Sequence, residues 1–321
     1  MPNLIRSLHH VTATVSDAQE DLDFYTGLLG QRLVKKTVNF DNHHVYHFYY
    51  GNEAGTPGTI FTTFPYKGMG VRVGTKGVGQ ITMTSFSVPA PALEFWRRRL
   101  TAHDVAYEDE PPRFGEDAIR FSDPSGLVIR IVGSASDARA PWTLPDIAPT
   151  SAIRGIHGVT LLVADPARTI ALLSEMLGGT VLAESGGTTR VGISGDAPGQ
   201  IVEVTRATTE PAAVNGLGTV HHVAFAIGDG EQQLAIREQL VRRGLRVTEV
   251  MDRQYFTSIY FREPNGVLFE VATVPPGFTA DEPLGALGTA LKLPPWEEPQ
   301  RAAIEAGLSN VTLARATSTP R

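Results

Sequence analysis

The chain repeats one short phrase: LHHVTATVSD at 8–17, IHGVTLLVAD at 156–165 and VHHVAFAIGD at 220–229. Each copy alternates in the manner of a half-buried strand and ends at an aspartate, and a stretch with helical spacing follows it. A weaker fourth copy begins at Gly79 with QITMTSFSVPA after the glycine. A phrase that recurs with the same sequel indicates one supersecondary unit used several times.

Each copy also closes on a similar strand-like segment. These segments are GTIFTTF at 58–64, GLVIRIV at 126–132, GQIVEVT at 199–205 and GVLFEVA at 266–272. Between the helix and the closing strand, turn residues separate further strand-like segments. We therefore predict an α+β fold of four βαβββ modules, arranged as two tandem domains with mixed, cup-shaped β-sheets.

The boundary between the two domains is expected in the stretch 133–153, which is rich in Ser, Pro and Ala. Residues 1–140 are predicted to form the N-terminal domain with modules one and two, and residues 150–321 the C-terminal domain with modules three and four. The Pro-rich tail from Pro275 is predicted to cross the surface as a strap and to become helical near its end. The glycine-rich stretch 68–79 lacks the context of a phosphate loop and is interpreted as a connection between modules.

Composition excludes several classes of site. The 321 residues are 42% apolar and 19% charged, carry a net charge of −6 and include no cysteine. The mild acidity argues against a nucleic-acid partner, and without Cys the good metal ligands are His, Asp and Glu. No apolar stretch has the length of a membrane span, so we expect a cytoplasmic protein with no membrane partner.

Alignment of the modules sorts the histidines. His10 in module one and His222 in module four occupy the same place, where module three has Gly158. Side chains alternate along a strand, and both histidines fall on the face of small residues that is expected to line a cup. Glu270 on the closing strand of module four faces the same way, and Thr62 takes its place in module one. If modules one and four share a cup, two imidazoles and one carboxylate converge there, which is the facial-triad pattern of non-haem Fe(II) oxygen chemistry.

The cup formed by modules two and three, and most histidines outside the triad, are expected to have structural roles. By the same alternation, His157 of module three falls on the helix face and is not expected to be a ligand. Arg130 and Glu203 stand at the closing-strand positions of modules two and three, and we predict a metal-free cup closed by their ion pair. The remaining histidines are also expected to be structural: His43, His44, His47 and His103.

The repeat and the His/His/Glu pattern resemble the vicinal oxygen chelate superfamily, which includes glyoxalase I, bleomycin-resistance proteins and extradiol dioxygenases. More narrowly, the chain resembles its ring-cleaving dioxygenases that act on para-hydroquinones. The matching phrases run through nearly the whole chain: SLHHVT at 7–12, GTPGTIFTTFP at 55–65, VHHVAFA at 220–226, DRQYFTSIYFREPNGVLFE at 252–270 and GFTADEPLGALGTALKLPPW at 277–296.

The resemblance implies a fuller site. Its three metal ligands coincide with the residues that strand alternation selects, and it implies Arg253 and Tyr260 near the substrate. Thr12 and the two preceding histidines, His9 and His221, match positions beside the ligands, although alternation directs these two histidines away from the cup. The expected ion is Fe(II), with Mn(II) as the alternative. The expected partners are a small aromatic diol and O2. Assembly into a homo-oligomer is left undecided by the sequence.

Three functions remain to be distinguished. The favoured hypothesis is a ring-cleaving dioxygenase that incorporates both atoms of O2 while opening an aromatic diol, with a plain or substituted para-hydroquinone preferred. A glyoxalase-like, metal-dependent isomerase or lyase on the same scaffold needs no oxygen. A resistance protein that sequesters an aromatic drug or quinone binds without turnover and tolerates the loss of Glu270.

Overall fold

The structure is a computed structural model that describes residues 4–313. Module one contains β1 (Ile5–Val15), α1 (Ala18–Leu22), a π-helical turn (Asp23–Leu28), β2 (Arg32–Asn39), β3 (Asn42–Gly51) and β4 (Ile60–Pro65). Module two contains β5 (Gln80–Pro89), α2 (Leu93–Ala102), β6 (Tyr107–Arg113), β7 (Glu116–Ser122) and β8 (Val128–Ser134).

The second half of the chain repeats the same order. Module three contains β9 (Gly155–Val163), α3 (Pro166–Met176), β10 (Gly179–Ser185), β11 (Thr188–Ile193) and β12 (Ile201–Arg206). Module four contains β13 (Thr219–Ile227), α4 (Gly230–Arg242), β14 (Met251–Asp252), β15 (Thr257–Arg262) and β16 (Leu268–Thr273). The tail ends in the short helix α5 (Arg301–Gly307).

The strands of residues 4–313 form two curled, eight-stranded sheets. Sheet one has the order β14-β15-β16-β13-β1-β4-β3-β2 and joins module four to module one. Sheet two has the order β10-β11-β12-β9-β5-β8-β7-β6 and joins module three to module two. The α+β fold with mixed, cup-shaped sheets is confirmed, and so is the pairing of module one with module four. The domain boundary between residues 140 and 150 stays a prediction.

The two faces of the central strands explain how the sheets are held. Val11 of β1 and Val223 and Phe225 of β13 are fully buried in the main hydrophobic core, which continues into sheet two through Phe86 and Ile156. Burial of side chains of this size contributes about 1.5–3 kcal/mol each. This apolar face anchors the strands and leaves the opposite face of sheet one to line a cup.

The aspartate that ends the repeated phrase begins a helix. Asp17 Oδ1 accepts hydrogen bonds from the backbone N–H groups of Gln19 and Glu20 at 2.8 and 3.0 Å, and Asp229 Oδ1 accepts one from Gln232 at 2.9 Å. Such a cap contributes about 1 kcal/mol to helix stability. No helix in the described residues is long and apolar enough to cross a membrane.

The tail lies along the β2 edge of sheet one. The backbone N–H of Lys292 donates to the carbonyl of Lys36 at 2.9 Å, beside the bridge between Lys36 and Leu291. The fully buried Lys35 Nζ lies 2.6 Å from Asp281 Oδ1 and also pairs with Glu282. These contacts cover an edge whose backbone groups are otherwise free to pair with another chain.

Candidate metal centre

Three buried side chains converge in the cup of sheet one. His10 lies on β1, His222 on the adjacent β13, and Glu270 on β16. His10 Nε2 is 3.2 Å from His222 Nε2 and 3.3 Å from Glu270 Oε2, which lies 2.8 Å from His222 Nε2. Their exposed fractions are 2%, 5% and 1%. The structure therefore brings together the three residues that the sequence patterns select as ligands.

Strand register explains this convergence. The antiparallel pairing of β1 with β13 places Thr12 opposite His222. The parallel pairing of β13 with β16 places Ala224 opposite Glu270, and the corresponding pairing of β1 with β4 places Thr12 opposite Thr62. Modules one and four thus contribute equivalent positions from either side of the central strand pair, with Thr62 where module four has Glu270.

The donor set of this triad fits a metal ion. Glu270 Oε1 accepts a hydrogen bond from Ser258 Oγ, whereas Oε2 is fully buried and makes no hydrogen bond of acceptable geometry, although both Nε2 atoms are close. Burial lowers the pKa of His222. Burial alone raises the pKa of Glu270, but the neighbouring His10 and His222 reverse that effect and hold it well below its ordinary value. An ionised carboxylate and neutral imidazole are the forms that bind a cation, and these residues would hold one.

The histidine that precedes each ligand supports it. His9 Nδ1 lies 2.9 Å from His10 Nδ1, and His221 Nδ1 lies 2.7 Å from His222 Nδ1. A ligand that uses Nε2 carries its proton on Nδ1 and donates it to the neighbour, which fixes the orientation of the ring. Burial lowers the pKa of both His9 and His221 to about 3, so both rings are neutral and can accept this hydrogen bond.

Bulges overturn part of the alternation argument. The register of β1 against β13 slips between Leu8 and His10 and again between Thr12 and Ala13, so His9 and His221 are the extra residues. A bulge changes the direction of consecutive side chains. The prediction that His221 points away from the cup is wrong, since His221 lines the cavity described below, whereas His9 contacts its ligand from outside that cavity.

His157 occupies a similar bulge in sheet two. The register of β5 against β9 skips it between the pairs Ser85–Gly158 and Phe86–Ile156. Its Nε2 lies 2.8 Å from Glu116 Oε1. His157 is therefore engaged with a carboxylate of the neighbouring module, and Gly158 follows it where modules one and four have a ligand.

A cavity of about 490 Å³ opens onto the triad. A space of this size accommodates a small substituted ring. Much of its wall is aromatic, contributed by Phe40, Tyr49, Phe64, Tyr66, Phe256 and Tyr260. Its other polar side chains include Thr12, Asn39, Asp41, His47 and Arg253. The cavity therefore combines apolar ring faces with a few polar groups.

Tyr260 and Arg253 lie together in this wall. Arg253 Nε donates to the Tyr260 hydroxyl oxygen at 3.1 Å, and its other nitrogens bind the Asp41 carboxylate at 3.2 and 3.0 Å. Because the phenol oxygen accepts from Arg253, its own hydrogen is not used in that hydrogen bond. Burial, and then the charge of Glu270, raise the pKa of Tyr260, so the phenol keeps its proton.

Thr12 belongs to a chain of hydrogen bonds that the sequence patterns do not reveal. Thr62 Oγ1 donates to the fully buried Thr12 Oγ1 at 2.8 Å, and His47 Nε2 lies 2.9 Å from Thr62 Oγ1. The register pairs Tyr49 with Thr62 in module one and Tyr260 with Glu270 in module four. His47 therefore matches Ser258, the residue that binds Glu270. Alignment of the third strand of each module is the signal that identifies it.

The same positions in sheet two hold arginines around a carboxylate. Glu203 Oε2 is 3.1 Å from Arg130 Nη2 and 2.5 Å from Arg113 Nη2, and Oε1 is 2.7 Å from Arg190 Nη2. Burial opposes ionisation, but the three guanidinium groups lower the pKa of Glu203 to about 2. The predicted Arg130–Glu203 ion pair is confirmed, and Arg113 and Arg190 are additions that the repeat alignment does not contain.

Known sequences resemble this chain along most of its length. The Glyoxalase/Bleomycin resistance protein/Dioxygenase superfamily model matches residues 7–131 and 155–271. The chain is 46% identical over 294 residues to "Putative ring-cleaving dioxygenase MhqE" of Bacillus subtilis, covering 92% of this chain and 95% of the relative. It is 34% identical over 303 residues to "Chlorohydroquinone/hydroquinone 1,2-dioxygenase" of Sphingobium indicum, covering 92% and 93%.

Solved structures give the same result at the level of the fold. A crystal structure described as "putative dioxygenase" from Bacillus subtilis superposes with a TM-score of 0.93 at 42% identity, covering 98% of this chain and 99% of that one. Glyoxalase I from Zea mays shares the fold at 15% identity, with a TM-score of 0.61 and coverage of 83% and 92%. The chain belongs to the glyoxalase/bleomycin resistance protein/dioxygenase superfamily.

Proposed function

We propose that this chain is a ring-cleaving dioxygenase that opens a plain or substituted para-hydroquinone with O2 and uses Fe(II). The observation that carries the proposal is the buried His10/His222/Glu270 triad in the wall of an aromatic cavity. The names of relatives at 34% and 46% identity support the reaction class, and one of them names hydroquinone as its substrate. Mn(II) is the alternative ion, because it accepts the same ligands.

The triad would hold the ion through two imidazole nitrogens and one carboxylate, with further coordination positions left open. When bound, the ion would act as a Lewis acid and as a template that brings the diol and O2 together. His9 and His221 keep the ligand rings oriented through their Nδ1 contacts. The aromatic wall excludes water from the reacting groups.

Tyr260 and Arg253 act on the substrate oxygen nearest the triad. The Tyr260 hydroxyl donates its hydrogen to that oxygen, and Arg253 holds the phenol oxygen through its Nε–H. The guanidinium charge also stabilises negative charge that develops on the ring oxygen. Thr12, opposite His222 in the strand register, lines the same cavity.

Oxygen uptake tests the proposal. Protein loaded anaerobically with Fe(II) is given O2 and a panel of hydroquinone, methylhydroquinone, chlorohydroquinone and catechol. We expect uptake that matches the loss of aromatic absorbance, fastest with a hydroquinone. Protein that holds iron and consumes no oxygen with any of these diols would contradict the proposal. Turnover of a hemithioacetal substrate without oxygen would instead favour a glyoxalase-like isomerase.

A further inference from the structure

The cavity wall opposite Tyr260 carries a histidine that the proposed chemistry leaves unused. His47 lies on β3, the second strand from one edge of sheet one, and Tyr260 lies on β15, the second from the other edge. Because the sheet curls, both residues line the same cavity from opposite sides. The His47 ring is held between aromatic neighbours, with ring centroids 4.0 Å from Tyr49 and 4.3 Å from Phe64.

The hydrogen bonds from His47 to Thr62 and from Thr62 to Thr12 determine which nitrogen of His47 carries hydrogen. The single hydroxyl hydrogen of Thr62 is donated to Thr12, so Thr62 Oγ1 can only accept from His47 Nε2. Burial lowers the pKa of His47 well below its ordinary value, so the ring is neutral. A neutral ring with its hydrogen on Nε2 has a lone pair on Nδ1. Within residues 4–313, no side chain or backbone group donates a hydrogen bond to this Nδ1.

The polar neighbours on this wall are already bonded to protein groups. Asn39 Nδ2 donates to the Tyr66 hydroxyl at 3.0 Å, and Asn39 Oδ1 accepts from the backbone N–H of Asp41 at 2.9 Å. The Asp41 carboxylate binds Arg253. His47 Nδ1 is therefore an acceptor that this side of the cavity offers to a ligand.

We propose that His47 determines specificity by accepting, at Nδ1, a hydrogen bond from the substrate hydroxyl that is remote from the triad. This inference rests on the proposed function and deepens it. A para-diol whose first oxygen meets Tyr260 presents its second hydroxyl to the opposite wall, where His47 lies. A catechol whose two adjacent hydroxyls both meet the triad and Tyr260 has no hydroxyl left for His47. The wall thus selects diols with a hydrogen-bond donor across the ring.

Equilibrium binding tests this role separately from turnover. Dissociation constants of hydroquinone, phenol and catechol are measured anaerobically on the Fe(II)-loaded full chain, for wild type, His47→Leu and His44→Leu. Phenol lacks the remote hydroxyl, and His44 is an exposed residue of the same strand. We expect wild type and His44→Leu to bind hydroquinone about tenfold more tightly than phenol, the worth of one hydrogen bond. We expect His47→Leu to bind the two alike, with catechol affinity unchanged.

A second variant guards against misfolding. Thr62→Val keeps the volume but removes the acceptor of His47 Nε2–H, so the ring can take the other tautomer and the hydroquinone preference shrinks. Iron content and melting temperature identify any variant that fails to fold or to load. An unchanged preference in either folded variant overturns the inference, as does a wild type that binds phenol and hydroquinone alike. A wild type that shows the His47-dependent preference but consumes no oxygen supports the role of His47 and refutes the dioxygenase proposal.

Discussion

The two sheets are built from the same modules but neutralise their central carboxylates differently. In sheet one, Glu270 faces the imidazoles of His10 and His222. In sheet two, Glu203 stands at the equivalent position and is surrounded by three guanidinium groups. Arginine stays protonated and occupies the space where a cation would bind, whereas imidazole offers a lone pair to a metal. The neighbours of the carboxylate, rather than the fold, therefore decide which cup can hold an ion.

A smaller contrast exists inside sheet one. Module four contributes Glu270 with Ser258 as its hydrogen-bond donor, and module one contributes Thr62 with His47 at the matching positions. The shorter Thr62 leaves room for the larger His47 ring. One wall of the cavity is thus suited to hold an ion, and the other is suited to recognise the far side of a ligand.

The largest expected effect on Fe(II) binding comes from replacing the carboxylate of the triad, Glu270. Glu270→Gln is expected to lower Fe(II) affinity by more than about 100-fold, since even residues that only orient ligands contribute about 10–100-fold. Turnover should disappear with the iron. The measurements are iron per chain at fixed free Fe(II) and oxygen uptake.

Glu203→Gln is the matched control in sheet two. It leaves three cationic groups without their shared buried anion and is expected to lower the free energy of unfolding by about 3–5 kcal/mol. Iron per chain should not change. Loss of iron from Glu203→Gln together with its retention by Glu270→Gln would reverse the assignment of the two cups.

The next effect concerns the two equivalent tyrosines of sheet one. Tyr260→Phe removes the hydroxyl hydrogen that we propose is donated to the substrate, and it is expected to lower kcat about 100-fold at unchanged iron content. Tyr49→Phe changes the equivalent residue of module one, to which Arg253 makes no hydrogen bond in the described structure. Steady-state oxygen uptake compares them. Equal losses in both variants, or none in Tyr260→Phe, would remove the assigned role of Tyr260.

The histidines in the bulges give an intermediate effect on metal binding. His221→Phe removes the acceptor that orients His222 and is expected to lower Fe(II) affinity by about 10–100-fold. His157→Phe alters the residue in the similar bulge of sheet two and should leave Fe(II) affinity unchanged. A titration monitored by iron content is sufficient. Wild-type affinity in His221→Phe would show that the Nδ1 contact does not orient the ligand.

The last comparison is between Glu203 and another buried carboxylate, Asp21, which accepts hydrogen bonds from hydroxyl groups rather than from guanidinium groups. Asp21 Oδ2 accepts from Tyr50 at 2.6 Å and from Thr63 at 2.5 Å, and burial raises its pKa from 3.8 to about 8. Folded protein therefore keeps a proton that unfolded protein loses above about pH 4. The free energy of unfolding should fall as the pH rises from about 4 to about 8, the opposite sign to the contribution of Glu203, which is lost as the pH falls towards 2.

Asp21→Asn removes this titration. The variant stays neutral, so its stability should decline less between pH 5 and pH 8 than that of wild type, as measured by urea denaturation at both values. The residual decline belongs to groups such as Asp123, whose pKa burial raises to about 6. A variant with the full wild-type pH dependence would show that Asp21 is ionised in the folded protein.

Repetition explains what could be predicted from the sequence. The strand, helix and closing strand recur four times, and their alignment gives the modules and the fold class. His10 and His222 stand at equivalent places of two modules, and Glu270 lies on the same face of its strand, so alignment and strand alternation together select the three. The Arg130–Glu203 pair follows from the same comparison.

The features that the sequence does not predict depend on β-bulges and on contacts between different strands. A bulge inserts one residue without changing composition, which is why alternation misdirects His221. Arg190 lies directly opposite Glu203 on the neighbouring strand β11. Arg113 reaches Glu203 from β6, at the far edge of the sheet, only once the sheet curls. The His47 ring is oriented by a hydrogen bond to Thr62 on the neighbouring strand. The stretch with helical spacing that follows the first repeated phrase forms α1 only as far as Leu22 and continues as a π-helical turn to Leu28.

The contrast between the two cups is tested most directly by anomalous diffraction at the iron absorption edge, on crystals of the Fe(II)-loaded chain. We predict one strong peak within bonding distance of His10 Nε2, His222 Nε2 and a Glu270 carboxylate oxygen, and none beside Glu203. A peak beside Glu203, or iron-loaded protein without a peak at the triad, would contradict the assignment of the metal centre.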